Sequence, residues 1–214
     1  MSKELKLLEH DLDATFFRYA HLTGAIELYM MVLQNRQLQK AFSKIVSGSE
    51  IEWKEIHRFM VLEGKTITWY PALPIQSILD NQPTLIGYLY GITLSSFIGD
   101  IDYYLFSVLK NHFGILNYSG SSLDQFIKTV NVDLSNVKNG EFIYTLLQER
   151  HKIEHNKAQI DRKFLERLAK SNIEHVYKEG DKIQKSHIDI LMTNQAIREF
   201  ALDIETIYKI KRPR

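Results

Sequence analysis

The sequence contains no cysteine and only four prolines in 214 residues. Without cysteine the chain can form neither disulfides nor thiolate metal sites, which is compatible with a cytoplasmic location. An excess of charge is also missing, because 27 basic and 26 acidic residues leave a formal net charge of +1. A nearly neutral chain has no global attraction for nucleic acid or for an anionic membrane, so any such binding must come from a local patch.

Long hydrophobic runs are scarce as well. Residues 1–13 are charged and lack the apolar run of a signal peptide. Residues 81–99 carry no charge, but they include Pro83, three glycines and several polar side chains. This composition falls short of the roughly 20 predominantly apolar residues that a membrane span needs. We therefore interpret this segment as a buried helix and expect a cytoplasmic protein without membrane association.

Helical periodicity dominates the rest of the chain. The spacing of apolar residues predicts a long first helix that ends before Ser47, a second helix over 50–62, and a long helix over 85–112. Residues 65–70 are β-branched and aromatic enough for a short strand, and 64–83 is the best linker candidate. Four polar residues have the chemistry of helix caps: Ser121, Asn139, Asp161 and Ser186. The sequence thus predicts a mostly α fold with at most one short strand pair.

Residues 149–156 form the motif with the clearest chemistry, and they read E-R-H-K-I-E-H-N. Arg150 supplies a permanently charged planar group that can hold a phosphate with two hydrogen bonds. His155 titrates near neutral pH and can therefore take a proton from a hydroxyl or give one to a departing oxygen. Together these two side chains can cleave a phosphodiester without a metal ion.

The motif resembles that of HEPN domains, which are all-helical and carry an arginine and a histidine with four to six residues between them, often followed by Asn or Gly and then by a Val-Asp or Ile-Asp pair. Here Asn156 follows the histidine and Ile160 precedes Asp161. The resemblance covers residues 84–210. It implies an HEPN-like antiparallel helical bundle over 84–214, preceded by an N-terminal helical extension over 1–83 that the resemblance does not explain.

The resemblance also implies a function. HEPN ribonucleases of toxin–antitoxin, abortive-infection and other prokaryotic phage-defence systems cleave RNA without metal or cofactor. By this resemblance Arg150 and His155 are catalytic, while His151 and Asn156 orient them or contact phosphate. Asp102, in the segment similar to the acidic-aromatic opening helix of the family, would hold Arg150. The expected partners are RNA, a second copy of the chain, and a cognate antitoxin or defence-system protein.

Two features of the motif need comment. HEPN toxins controlled by a nucleotidyltransferase antitoxin typically have a tyrosine two residues after the histidine, whereas this chain has Lys157, so the resemblance does not imply control by modification of that tyrosine. The spacing also places Arg150 and His155 about 140° apart on an ideal helix. Either the helix ends or distorts between them, or a second copy completes the site. We expect Lys152, Lys157 and Arg162 to make the surrounding surface basic and to bind RNA.

Three alternatives remain at this point. Residues 151–155 also read H-x-x-E-H, a spacing with which two histidines hold zinc and a glutamate activates water in a hydrolase. The same Arg150 and His155 could hold a nucleotide or a partner protein without cutting anything. Finally, Arg150 and Glu154 could form an ordinary surface ion pair of a few tenths of a kcal/mol.

Overall fold

The computed structural model describes residues 1–47, 55–62, 65–74, 79–80, 82–155, 158–171 and 173–211. The chain is mostly helical, as predicted, and it divides into two compact units. One unit comprises Met1–Arg18 and Tyr90–Arg214, and the other comprises Tyr19–Leu89. The predicted functional division after residue 83 stays a prediction.

Two helices occupy the first 47 residues. Helix α1 spans Lys3–Gln34 and helix α2 spans Arg36–Ser47. The prediction of one continuous helix was therefore wrong, and Asn35 explains the break. Its side-chain oxygen accepts hydrogen bonds from the backbone N–H groups of Gln37 and Leu38 at 2.9 and 3.2 Å, so it caps α2.

A β-hairpin follows, formed by strand β1 (Glu55–Leu62) and strand β2 (Lys65–Pro74), which pair antiparallel with Leu62 opposite Lys65. The strand predicted at 65–70 is thus confirmed and extends to Pro74, into the segment taken as a linker. The helix predicted over 50–62 is wrong for 55–62. Phe59, Met60 and Val61 suit a strand, and pairing with β2 outweighs a weak helical period.

Helix α3 spans Gln82–Phe113 and confirms the predicted long helix. Its stretch Ile86–Phe113 is the one part of the described chain that is long and apolar enough to cross a membrane, by length and composition alone. Half of the 18-residue apolar window within that stretch is buried inside the protein, and a single such helix is weak evidence for a span. It therefore gives no clear sign of a membrane span.

Four shorter elements precede the last helix: helix α4 (Ser122–Val130), a 3-10 turn (Leu134–Asn136), helix α5 (Gly140–His155) and helix α6 (Arg162–Lys170). Helix α7 (His187–Lys211) closes the fold. Ser121 accepts a hydrogen bond from the N–H of Asp124 and caps α4. Ser186 and Asp189 bond reciprocally at the start of α7, in the manner of a capping box. Both of these predicted caps are confirmed.

Asn139 precedes α5, but its predicted role as a side-chain cap is wrong. Its φ of 59° lies in the left-handed region, which Asn tolerates better than most residues. The side-chain amide instead donates to the carbonyl of Ala196 and to the carboxylate of Glu199 on α7. Asn139 thus connects the start of α5 to the closing helix.

The main core lies in the first unit and brings together apolar side chains of α1, α3, α4, α5 and α7. The largest fully buried members include Leu12, Phe97, Ile101, Phe126, Phe200 and Ile204. Tyr104 on α3 adds a directional contact, since its hydroxyl donates to the carbonyl of Ala201 on α7 at 3.2 Å. A smaller core lies beside the end of α5 and contains Ile160, Phe164, Leu168, Ile173 and Ile183.

Candidate functional site: the end of helix α5

Helix α5 carries the motif and remains helical from Gly140 to His155. The suggestion that the helix ends or distorts between Arg150 and His155 is therefore wrong. On an unbroken helix the two positions differ by about 140° around the axis and do not share a face. Completion of the site by a second copy stays a prediction.

The motif residues differ in exposure. Arg150 is half-buried and His151 is exposed. The side chains of Glu154 and His155, and the whole of Asn156 and Lys157, lie outside the described residues. Their predicted roles therefore stay predictions, as does the simple Arg150 to Glu154 ion pair.

Glu149, immediately before Arg150, is buried at 1% exposure and is compensated on two sides. Lys185 Nζ lies 2.6 Å from Glu149 Oε2. The two groups form an ion pair, but their orientation does not satisfy hydrogen-bond geometry. The Tyr177 hydroxyl donates a short hydrogen bond to Glu149 Oε1. Burial, followed by the neighbouring Glu149 charge, raises the pKa of Tyr177 well above its usual value. We call Glu149, Tyr177 and Lys185 the buried triad.

Lys152, one turn further along α5, is 5% exposed, and its Nζ donates to Asp161 Oδ2 at 2.5 Å. The expected contact of Lys152 with RNA is therefore corrected, because a buried ammonium paired with a carboxylate is not presented to a phosphate. The other oxygen of Asp161 accepts from the N–H of Phe164 at 2.9 Å, which confirms Asp161 as the cap of α6. The hydrogen bond from Lys152, together with the one from Phe164, lowers the pKa of Asp161.

The chain turns back where α5 ends. The N–H of Ala158 donates to the carbonyl of Lys152 at 3.0 Å, and Ala158 has a φ of 62°. Beyond the turn, Ile160 donates to Asp181 at 2.8 Å, and Ile183 donates to Ala158 at 2.8 Å. These backbone bonds hold the segment around 160 against the segment around 182, from which Lys185 reaches Glu149. These contacts hold the buried side of the end of helix α5 in place.

Two further predicted site residues, Arg162 and Asp102, lie on helices other than α5. Arg162, expected to bind RNA, begins α6 with an 81% exposed side chain, and its Nε is 3.0 Å from Glu166 Oε1. Asp102, expected to hold Arg150, accepts a hydrogen bond from the N–H of Ser122 at 3.2 Å. That contact places the Asp102 carboxylate at the start of α4, and its link to Arg150 stays a prediction.

Sequence reasoning missed the buried triad, although a signal was present. Four residues of α5 spaced three apart are buried, namely Ile143, Leu146, Glu149 and Lys152. Two of them are charged, and buried charges require partners. The partners come from residues 161–185, a distance along the chain that no local pattern reveals.

No set of three or more His, Asp or Glu residues with the geometry of a metal site occurs among the residues that the structure describes. The side chains at 154 and 155, which the H-x-x-E-H alternative requires, are not among them. The zinc alternative therefore remains untested.

Comparison with known proteins adds no relative. The chain matches no protein-family model, no curated protein and no solved structure. The HEPN resemblance consequently rests on the motif and its flanking segments alone.

Proposed function

We propose that this protein is a metal-independent endoribonuclease of the HEPN type. The observation that carries the proposal is that α5 is a continuous helix that carries both Arg150 and His155 and whose buried side is held by the buried triad. Such anchoring suits a catalytic pair, because catalysis by positioned groups requires side chains on rigid elements.

The local charges also favour an anionic substrate. Glu149 is buried against Lys185, and Asp161 is paired with Lys152. These two acids therefore project little negative charge toward Arg150 and His151, which lie on the accessible side. The Arg150 guanidinium can hold an RNA phosphate on this side with two hydrogen bonds.

The proposed reaction is an internal transesterification. A histidine takes the proton from the RNA 2′-hydroxyl, whose oxygen then forms a bond to the adjacent phosphorus. The bond from phosphorus to the 5′-oxygen breaks, and a second histidine protonates that oxygen. Arg150 stabilises the charge that develops on the phosphoryl oxygens. The products are a 2′,3′-cyclic phosphate and a 5′-hydroxyl.

The reaction needs both a base and an acid, whereas each chain supplies one His155. We therefore propose a two-fold dimer that brings two copies of the motif to a shared cleft. The unbroken course of α5 supports this proposal, because it keeps Arg150 and His155 of one chain on different faces. In the cytoplasm of a prokaryote, such an enzyme would serve a toxin–antitoxin, abortive-infection or other phage-defence system under the control of a partner protein.

A mixing experiment tests this arrangement. Chains carrying Arg150→Ala are unfolded and refolded together with chains carrying His155→Ala, and RNA cleavage is compared with that of each variant alone. If an active site takes arginine from one subunit and histidine from the other, the mixture regains partial activity. A cleaving enzyme that is monomeric by light scattering at micromolar concentration would contradict the dimer while leaving the reaction itself in place.

The second candidate is an HEPN-like module that binds a nucleotide or a protein and cuts nothing. The half-buried Arg150 is consistent with it, because a guanidinium can hold a phosphate without further chemistry. Analysis of fragment ends separates the two candidates. Cleavage through the 2′-hydroxyl leaves cyclic phosphates, whereas a binding module leaves the RNA intact.

A further inference from the structure

Helix α6 has one apolar and one strongly basic side. Phe164 and Leu168 are fully buried in the smaller core and so fix which side faces inward. Lys163, Arg167 and Lys170 recur at intervals of four and three residues, which places them within about 60° of one another around the helix axis. Lys163 and Lys170 are exposed, and Arg167 is half-buried. We call these three residues the basic stripe.

The acidic residues on helix α6 and at its start form their ion pairs with cations outside the basic stripe. Glu166, the one acid of α6, pairs with Arg162 at 3.0 Å. Asp161, which precedes the helix, pairs with Lys152 at 2.5 Å. Asp161 also interacts electrostatically with Lys163, but the cations that pair with Asp161 and Glu166 lie outside the stripe, which therefore keeps most of its positive charge. A cluster of this kind attracts polyanions.

The basic stripe is joined to the motif helix. Arg167 Nη1 donates to Gln148 Oε1 at 3.0 Å. On α5, position 148 lies about 20° from position 155 around the axis and within one turn of His151 along it. The basic stripe is therefore joined to the side of α5 on which positions 151 and 155 lie. A guanidinium has five donors, so the bond to Gln148 leaves others for a phosphate.

We propose that Lys163, Arg167 and Lys170 form the surface that binds the RNA backbone and leads it to the motif. This inference rests on the proposed function for the choice of RNA as the polyanion. It replaces Lys152, which is buried, whereas the predicted RNA contact of the exposed Arg162 stays a prediction. Along α6 the three residues span about 10 Å, so they contact a short run of phosphates on one strand.

The salt dependence of RNA binding gives a quantitative expectation. Each phosphate neutralised on a single strand contributes about −0.7 to the slope of log K against log salt concentration. Three contacts therefore contribute roughly −2 to that slope. Exchange of the three cations for glutamine should flatten the slope by about this amount and weaken binding at low salt at least tenfold.

The experiment uses the full chain with His155→Ala, so that the RNA survives, and an oligouridylate as the probe. Binding is measured by fluorescence anisotropy from 50 to 300 mM salt. One variant adds Lys163→Gln, Arg167→Gln and Lys170→Gln. The matched control removes the same charge from exposed lysines on α1, α3 and α4 by Lys6→Gln, Lys110→Gln and Lys128→Gln. Circular dichroism checks that both remain folded.

A flatter slope of log K against log salt concentration is expected for the stripe variant alone. Equal slopes for the two variants, or no salt-dependent binding by the parent chain, would overturn it. Cleavage by the wild type together with equal slopes would leave the proposed function standing and remove only the basic stripe. Binding through the stripe by a wild type that cleaves nothing would instead remove the nuclease and keep the surface.

Discussion

Lys185→Ala should destabilise the protein strongly, because it leaves the buried Glu149 carboxyl group without its cationic partner. Glu149 has a side chain only 1% exposed, and Lys185 one 13% exposed, with 2.6 Å between the charged atoms. Removal of one partner of a buried ion pair costs about 3–5 kcal/mol. Since the lysine retains some contact with water, the lower end of that range applies, about 3 kcal/mol. For a chain of this size the loss corresponds to a fall in Tm of roughly 6–12 °C.

Urea denaturation followed by circular dichroism measures this effect. The matched control is Lys182→Ala, an exposed lysine on the same segment, which should change the free energy of unfolding by less than about 0.5 kcal/mol. The pair of changes Glu149→Gln and Lys185→Met removes both charges together and should recover much of the loss, since no unpaired buried charge remains. If Lys185→Ala were no more destabilising than Lys182→Ala, the assignment of the buried triad would be refuted.

Three further predictions concern stability. Tyr177→Phe removes a hydrogen bond to a buried carboxylate and should cost about 1.5–3 kcal/mol in urea denaturation, so a change near zero would argue against that bond. The lowered pKa of Asp161 means that its carboxylate stabilises the folded state above about pH 4, and this contribution disappears as the pH falls through the folded-state pKa. The destabilisation by Asp161→Asn should therefore shrink between about pH 5 and 3, and a constant difference over that range would contradict the pairing with Lys152. Asn139→Gly should be less destabilising than Asn139→Ala by about 1 kcal/mol. Both variants lose the hydrogen bonds to α7, but only alanine is strained at a φ of 59°. Equal losses of stability would count against that backbone conformation.

Helix positions were largely predictable because their signals are local. Ser121, Asp161 and Ser186 mark helix starts through side chains that bond within three residues. The start of α2 at Asn35 has the same capping chemistry. It was not predicted, because the spacing of apolar residues continues on both sides of Asn35. Strand β1 was missed for a different reason, since its conformation depends on pairing with β2.

The sequence predicts the residue types of the candidate site, which stay predictions, but it does not predict which of these side chains are buried. The sequence indicates where Arg150 and His155 lie on α5, and the structure confirms that this segment is helical. The sequence does not indicate that Lys152 faces inward, because this orientation depends on the turn of the chain at Ala158 and on the position of Asp161. Burial of charge is a property of the assembled fold, and no local pattern encodes it.

The most direct test of the central claim is RNA cleavage in the presence of EDTA. Purified wild-type protein should cut RNA and leave 2′,3′-cyclic phosphate ends, while Arg150→Ala and His155→Ala should each lower the rate by about 10² to 10⁴. The control Lys128→Ala lies on α4 and should retain wild-type activity. Equal cleavage by all four proteins would contradict the account, and cleavage abolished by EDTA would favour a metal mechanism through His151, Glu154 and His155.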